Sequence, residues 1–223
     1  MFKIQKLNKL ILVLFFLQST TILTSDLVNS TNHIKTIIFG AGCFWSVEKK
    51  FQETFGVIDV ESGYADGVNI KPLYQEIIKR ENRFNPDNFA EVVRVTYNNN
   101  KTNLENLLKT FFEMHDPTQE NRQGNDVGVQ YRSVILTSSQ EEIMLSKKIK
   151  NLYQNLLSEK GYGIIKTSIK KLTNFHLAED YHQDYLKKNP NGYCPDNSTG
   201  IVFSKNPKQS IDNANVLTGK KIV

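Results

Sequence analysis

Residues 36–55, TIIFGAGCFWSVEKKFQETF, combine a strand, a glycine-rich turn and an amphipathic helix. The β-branched and apolar run Thr36–Phe39 predicts a short buried strand. Gly40-Ala41-Gly42-Cys43 follows, and apolar residues then recur at helical spacing: Phe44, Val47, Phe51 and Phe55. A helix is therefore predicted to begin at about Cys43, directly behind the strand.

The same patterns continue along the chain without an internal repeat or a low-complexity linker between residues 35 and 194. Further strands are predicted at Val57–Glu61, Ala90–Tyr97, Tyr131–Thr137 and Gly163–Ile169. Further helices are predicted after the capping boxes Thr102-x-x-Glu105 and Ser138-x-x-Glu141, and at Glu179–Lys187. Because strands and helices are interleaved in one block, the predicted fold class is a single-domain α/β (α+β) sandwich around a mixed sheet, followed by an irregular polar tail.

The composition is that of an ordinary globular protein. The 223 residues are 39% apolar and 10% aromatic, with 2 Cys and a formal charge of +5. These values exclude collagen-like, coiled-coil, disulfide-dense and wholly disordered proteins. Lys3, Lys6 and Lys9 contribute three of the five excess charges, and the other basic pairs alternate with acids, so no nucleic-acid partner is predicted.

The first 25 residues have the pattern of a secretory signal peptide. Met1–Leu10 is basic, Leu10–Leu17 is apolar, and Gln18–Ser25 is polar and rich in small residues. The apolar run is shorter than the roughly 20 residues that span a bilayer. We expect cleavage near Ser25 and export to the periplasm or the medium; the alternative is an uncleaved anchor or a dispensable extension.

Cys43 occupies a position suited to a nucleophile. Backbone N–H groups and the positive end of the helix dipole meet at a helix start, so we expect a lowered thiol pKa. Phe44 and Trp45, the only Trp, follow directly and would hold a small apolar group. The alternative is a buried structural Cys with two core aromatics.

Cys194, in Asn189-Pro190-Asn191-Gly192-Tyr193-Cys194, is the only other cysteine. Without a C-x-x-C motif and with only four scattered His, no zinc or other metal site is predicted. The two cysteines form either a structural disulfide or a nucleophile with its resolving partner, and the residues alone favour neither.

A carboxylate lies on the apolar face of the third predicted strand. Glu91 is spaced at intervals of two residues from Phe89, Val93, Val95 and Tyr97, so its side chain lies on the same face of the strand as theirs. Burial would raise its pKa and retain a proton near neutral pH, as a general acid requires. The alternative places Glu91 at an exposed strand end.

The polar segment His115–Ser133 lies between a helix and a strand. Loops of this length in a compact domain are often functional. Asp126 would offer a carboxylate and Tyr131 a phenol, although each could equally be a turn or core residue.

Several of these segments resemble the A-type peptide methionine sulfoxide reductases. The matching residues, which span about Thr36–Cys194 in order, are Gly42-Cys43-Phe44-Trp45-x-Val47-Glu48, Gly63-Tyr64-Ala65, Tyr74, Ala90-Glu91-x-Val93, His115–Ser133, Ala178–Leu186 and Asn189-Pro190-x-Gly192-Tyr193-Cys194. The segment from Tyr74 to Glu91 is about five residues longer than is usual in the family. Asn88-Phe89 stands where the family usually has Gly-His.

The resemblance implies a role for each matched site residue. Cys43 would attack the sulfoxide sulfur, with Phe44 and Trp45 holding the S-methyl group. Glu91 would protonate the departing oxygen, helped by Tyr74 and Tyr131, while Asp126 orders the site. The Cys43 sulfenic acid would then condense with Cys194 to a disulfide that thioredoxin or a similar dithiol reduces.

The resemblance also implies the wider setting of the reaction. The fold would be a two-layer sandwich with a ferredoxin-like core. The implied substrates are free methionine S-sulfoxide and oxidised proteins, and the implied role is repair after oxidative stress. The resemblance implies no bound cofactor and a monomeric enzyme. The chain then divides into a signal peptide (1–25), a catalytic domain (33–200) and a C-terminal tail (201–223).

Two other function classes compete with the reductase. One is a Cys–His hydrolase that pairs Cys43 with His115 or His182. The other is a secreted binding module, without activity, in which a Cys43–Cys194 disulfide is structural.

Overall fold

A computed structural model describes residues 33–203 of the chain. The strands are β1 (Ile34–Gly40), β2 (Val57–Ala65), β3 (Ala90–Asn98), β4 (Arg122–Gln123), β5 (Asp126–Val127), β6 (Val134–Thr137), β7 (Ser168–Lys171) and β8 (Phe175–Leu177). The α-helices are α1 (Phe44–Gln52), α2 (Tyr74–Ile77), α3 (Leu104–Glu113), α4 (Gln140–Glu159) and α5 (Tyr185–Lys188), with 3₁₀ turns at Arg80–Asn82 and Val129–Tyr131. The predicted signal peptide and the tail beyond residue 203 lie outside the described residues.

Six of the strands form one mixed sheet in the order β7-β6-β1-β3-β2-β8. Every pairing in it is antiparallel except that of β6 with β7. The succession β1-α1-β2-β3-α3-β6, with these four strands ordered β6-β1-β3-β2, is the ferredoxin-like arrangement. The predicted mixed-sheet sandwich with a ferredoxin-like core is confirmed.

The main core lies between the sheet and the helices α1, α3 and α4. Phe39 of β1 stacks against Phe51 of α1 and Phe111 of α3, with both pairs of ring centroids 4.9 Å apart. These aromatic contacts fix the helices over the sheet, and therefore also fix the turn that joins β1 to α1. A smaller apolar cluster covers the opposite face of the sheet and includes Val92 and Leu136.

The face predicted for the third strand is confirmed. Phe89, Val93, Val95 and Tyr97 all belong to the main core, and Glu91 is only 2% exposed. The alternative that Glu91 lies at an exposed strand end is wrong. The preceding strand, β2, continues four residues beyond its predicted end, because it stays paired with β3 as far as Ala65 opposite Ala90.

The predicted ends of several elements are wrong. Helix α1 stops at Gln52, so Phe55 lies beyond it with 76% of its surface exposed. The caps of α3 and α4 are each one residue later than predicted, because Asn103 accepts from the N–H of Asn106 and Ser139 from that of Glu142. The strand predicted from Tyr131 begins only at Val134, after a 3₁₀ turn, and the one predicted from Gly163 begins at Ser168.

The helix predicted over Glu179–Lys187 is wrong in most of its length. Only Tyr185–Lys188 is helical, and Asp184 before it has a left-handed φ of 54°. Residues 179–184 form turns whose side chains reach the functional site described below. This difference is a tertiary effect, since no strong helix breaker occurs in the segment.

The described part of the tail packs against the domain. Ile201 and Phe203 contact the main core, and the Tyr153 hydroxyl donates to the Ile201 carbonyl at 2.8 Å. Phe203 also donates its N–H to Glu113 at 2.7 Å. Within residues 33–203, none of the helices combines the length and apolar character needed to cross a lipid bilayer.

Candidate active site

Cys43 lies at the start of α1, as predicted, with its side chain half-buried. The chain enters the helix through Gly42, which has a φ of +95°. A Cβ at Gly42 would come within 2.8 Å of the Gln123 side chain, so both the conformation and the space require glycine there. The turn therefore holds the thiol against the loop that carries Gln123.

Glu91 lies directly beneath this helix start. Its carboxylate accepts a hydrogen bond from the Phe44 N–H at 3.2 Å, and Phe44 is the residue next to Cys43. Burial raises the pKa of Glu91 to about 8; the Phe44 N–H opposes the rise and the charge of Asp126 adds to it. The carboxyl therefore keeps its proton at neutral pH, as expected from its place on the apolar face.

The expectation of a lowered pKa for the Cys43 thiol is wrong. Burial raises this pKa, and the nearby Glu91 and Asp126 carboxylates raise it further. Hydrogen bonds from the Trp45 and Ser46 N–H groups lower it, but by less. Desolvation and negative charge thus outweigh the helix start, and the resting residue is a thiol.

Two phenols and a second carboxylate surround the pair. Burial raises the pKa of Tyr74 to about 12, and burial likewise raises that of Tyr131; for both, the charge of Glu91 is the second cause. Both phenols therefore remain protonated hydrogen-bond donors at neutral pH. Asp126 lies in the short β4–β5 hairpin, where burial raises its pKa and the Tyr193 hydroxyl donates to it at 3.3 Å.

Phe44 and Trp45 form an aromatic wall beside the thiol. Phe44 is buried, and its ring centroid lies 6.3 Å from that of Trp45. The indole stacks on Tyr185 at 3.7 Å, with the two planes 13° apart. This wall is suited to an apolar group of the size of S-methyl.

His182 holds that wall together, although sequence reasoning gave it no role in the reductase. Its Nδ1 accepts from the Trp45 indole N–H at 3.1 Å, so the proton of the neutral ring resides on Nε2. The ring lies 4.9 Å from that of Phe44 and 4.6 Å from that of Tyr74. In the sequence, the matched segment Ala178–Leu186 was the only signal that connected this residue with the reductase.

Glu179, in the same segment, positions Tyr74. One carboxylate oxygen accepts from the Tyr64 hydroxyl at 2.7 Å and the other from the Tyr74 N–H at 2.9 Å. The segment predicted to be a helix thus acts as a bridge between β2 and α2. Its role depends on the turn conformation, which local propensity did not reveal.

Cys194 is exposed, and it and Cys43 are both free thiols. The preceding residue, Tyr193, donates to Asp126, which connects the Cys194 segment to the site. In the described structure the two cysteines are not bonded to each other.

The hydrolase alternative has no support in the geometry. His115 is fully buried. Its Nδ1 is hydrogen-bonded to the Phe111 carbonyl at 2.7 Å and its Nε2 to the Ser133 hydroxyl at 2.8 Å. His182 bonds the indole of Trp45 instead of a thiol. Among the described residues, neither histidine is hydrogen-bonded to Cys43.

The same part of the chain contains no group of three or more His, Cys, Asp or Glu arranged to hold a metal ion.

Comparison with known proteins identifies relatives over most of the chain. The family profile described as "Peptide methionine sulfoxide reductase" matches residues 35–212. A peptide methionine sulfoxide reductase MsrA of Corynebacterium kroppenstedtii is 44% identical over 173 residues, which cover 75% of this chain and 76% of the relative. The mitochondrial peptide methionine sulfoxide reductase of Homo sapiens is 46% identical over 164 residues, 74% of this chain and 68% of the relative. The solved structure of methionine sulfoxide reductase A of Corynebacterium diphtheriae superposes with a TM-score of 0.67 at 39% identity, covering 76% of this chain and 82% of the other.

Proposed function

Because the chain belongs to the peptide methionine sulfoxide reductase family, we propose that its site reduces methionine S-sulfoxide, free or in proteins, through the thiol of Cys43. The observation that carries this proposal is the Phe44 N–H bond to Glu91, which fixes a protonated carboxyl next to the nucleophile. Reduction of a sulfoxide needs both a soft nucleophile for sulfur and a proton for oxygen. The site supplies the two together.

In the first step, the sulfoxide binds with its methyl group against Phe44 and Trp45. Glu91 donates its proton to the sulfoxide oxygen as the Cys43 sulfur bonds to the sulfoxide sulfur. The thiol proton is released in the same step and restores the protonated Glu91. The raised pKa of Cys43, caused by burial, makes this coupled transfer necessary, because little free thiolate exists beforehand.

In the second step, the oxygen passes to the Cys43 sulfur and the bond between the two sulfurs breaks. Methionine leaves with its sulfur reduced by two electrons, and Cys43 becomes a sulfenic acid, oxidised by two. Tyr74 and Tyr131 would hydrogen-bond the oxygen while it carries developing charge, and Asp126 would order the site.

In the third step, the Cys194 thiol condenses with the sulfenic acid to form a disulfide and water. Because Cys194 is exposed, we propose that a thioredoxin-like dithiol protein reaches the disulfide, donates two electrons and two protons to it, becomes a disulfide itself and restores both thiols of this chain. The electrons come entirely from thiols, so we propose that no bound cofactor takes part. We also propose a monomeric enzyme.

The direct test incubates the purified protein with dithiothreitol and separate S and R epimers of a blocked methionine sulfoxide. Chromatography should show loss of the S epimer alone, with stoichiometric formation of blocked methionine. Reduction of neither epimer by a folded protein would contradict the proposed function.

Cys194→Ser should retain one turnover and lose recycling. Without added reductant, the pre-reduced variant is expected to form one equivalent of methionine and leave a sulfenic acid that dimedone traps. The wild type should form the same equivalent while losing both thiols to the disulfide. A Cys194→Ser variant that turns over with thioredoxin as fast as the wild type would show that Cys194 is not the resolving residue.

We propose further that residues 1–25 direct export to the periplasm or the medium, as the basic and apolar pattern of Met1–Leu17 suggests. The reductant would then be an exported thioredoxin-like protein. N-terminal sequencing of the protein from the producing cells should find a start near residue 26 in the exported fraction. Recovery with an intact Met1 from the cell interior would contradict this proposal.

A further inference from the structure

Residues 78–88, in the connection between α2 and β3, contain the extra length noted in the sequence, and we call them the bracing segment. It is held in one conformation by Asn88, which is fully buried. The Asn88 side-chain amide donates to the carbonyls of Ile77 and Asn82, both at 2.9 Å. The end of the segment is therefore tied to the last residue of α2 and to the segment's own 3₁₀ turn.

Arg83 of the bracing segment makes two hydrogen bonds to the backbone just after Asp126. The Nε–H of Arg83 donates to the Val127 carbonyl at 2.8 Å. The Val129 N–H donates to the Arg83 carbonyl, also at 2.8 Å. Arg83 thus holds the chain on both sides of Gly128.

These two bonds complete the attachment of the hairpin that carries Asp126. On one side, β5 pairs with β4, with Asp126 opposite Gln123, and the Gly128 N–H donates to the Asn121 carbonyl at 2.9 Å. On its other side, the Val127 carbonyl is bound by the Arg83 side chain. A two-residue strand has few other bonds with which to fix a carboxylate.

We propose that Arg83 is a positioning residue that fixes the Asp126 hairpin against the site through its bond to the Val127 carbonyl. The inference rests on the proposed function, since it concerns the geometry of the same reaction. Arg83 is exposed and does not belong to the site itself, so it acts only through the hairpin. A misplacement of about 1 Å in a catalytic group commonly costs up to about a hundredfold in rate.

The first experiment measures single-turnover reduction of the S epimer by Arg83→Ala and by the matched control Arg80→Ala. Arg80 is an exposed arginine in the same segment, and its side chain makes no hydrogen bond or ion pair with any described residue. Arg83→Ala should lower the rate at saturating substrate by roughly tenfold, with a much smaller change in the half-saturating concentration. Arg80→Ala should match the wild type.

Arg83→Lys should recover part of the lost rate, because its ammonium group is able to donate to the Val127 carbonyl. Equal rates for Arg83→Ala and Arg80→Ala would overturn the proposal. An inactive wild type would instead contradict the proposed function, so the two failures are distinguishable.

A double-mutant cycle tests whether Arg83 acts through the hairpin. In an Asp126→Asn background, removing the Arg83 side chain should cause little further loss, because the group that it positions is already altered. Multiplicative losses from the two substitutions would overturn the proposal. The thermal midpoints of the Arg83 and Arg80 variants, measured in parallel, should differ little from that of the wild type, since the deleted side chains are exposed.

Discussion

Cys43→Ser is expected to abolish reduction of methionine S-sulfoxide, including the first turnover. Serine preserves the size of the side chain and the turn after Gly42, so the fold should be unchanged. Its hydroxyl is a far poorer nucleophile for sulfur, and loss of a catalytic nucleophile typically costs roughly 10⁴-fold or more. The measurement is the amount of methionine formed per enzyme without added reductant.

The matched control for this prediction is Cys194→Ser, which removes the other thiol by the same substitution. It should still form about one equivalent of methionine, while Cys43→Ser forms essentially none. If Cys43→Ser also formed a full equivalent, Cys43 would not be the residue that attacks the sulfoxide.

Glu91→Gln is expected to show the second large effect, a fall of roughly 10²- to 10⁴-fold in the single-turnover rate constant. Glutamine keeps the shape of the side chain, and its carbonyl oxygen still accepts the Phe44 N–H. What it lacks is the acidic proton, so the sulfoxide oxygen would depart without a proton donor. Rapid-quench measurements with the S epimer give this rate constant directly.

The pH dependence of the single-turnover rate provides an internal control for the role of Glu91 as proton donor. The pKa of Glu91 is about 8, raised mainly by burial, so the wild-type rate should fall as the pH rises through that value. The ionisable groups that face this carboxyl are Cys43, Tyr64, Tyr74, Asp126 and Tyr131. The descent near pH 8 should disappear in Glu91→Gln; if it persists, another of these groups is responsible.

Glu91→Gln should lower the reaction rate but raise the stability of the folded protein at pH 8. Between pH of about 4.5 and about 8, folded Glu91 holds a proton that the unfolded chain has lost, so the free energy of unfolding falls as the pH rises. Each pKa unit corresponds to about 1.4 kcal/mol. Glu91→Gln should therefore unfold at a higher temperature than the wild type at pH 8, and at a similar temperature near pH 4. Equal midpoints at pH 8 would contradict the raised pKa.

Sequence periodicity was sufficient to predict the features that depend on local pattern. The alternation around Glu91 predicted a buried carboxyl, and the strand, turn and helix around Cys43 predicted where the thiol lies. Both predictions succeeded because the side-chain period of a strand or a helix follows directly from its backbone geometry.

Features that depend on long-range packing were missed. The pKa of Cys43 is set by burial and by Glu91, which is 48 positions away, whereas the sequence showed only the helix start. His182 and Glu179 reach the site from turns in a segment whose composition is compatible with a helix. Their contacts with Trp45 and Tyr74 span more than 100 residues, so no local pattern encodes them.

The tail anchor at Tyr153 sets how far Cys194 is able to travel. The chain is fixed by α5 up to Lys188 and again by the Tyr153 hydroxyl bonds at Thr199 and Ile201, which leaves residues 189–198 as a tether. Even with the Tyr193 bond to Asp126 released, a tether of this length confines a thiol to within a few nanometres, which corresponds to an effective concentration on the order of millimolar. A second oxidant molecule would have to reach the Cys43 sulfenic acid from solution at a far lower concentration. The anchored tail therefore favours closure to the reversible disulfide over irreversible oxidation to sulfinic acid, and protects the enzyme under the oxidising conditions in which its substrate forms.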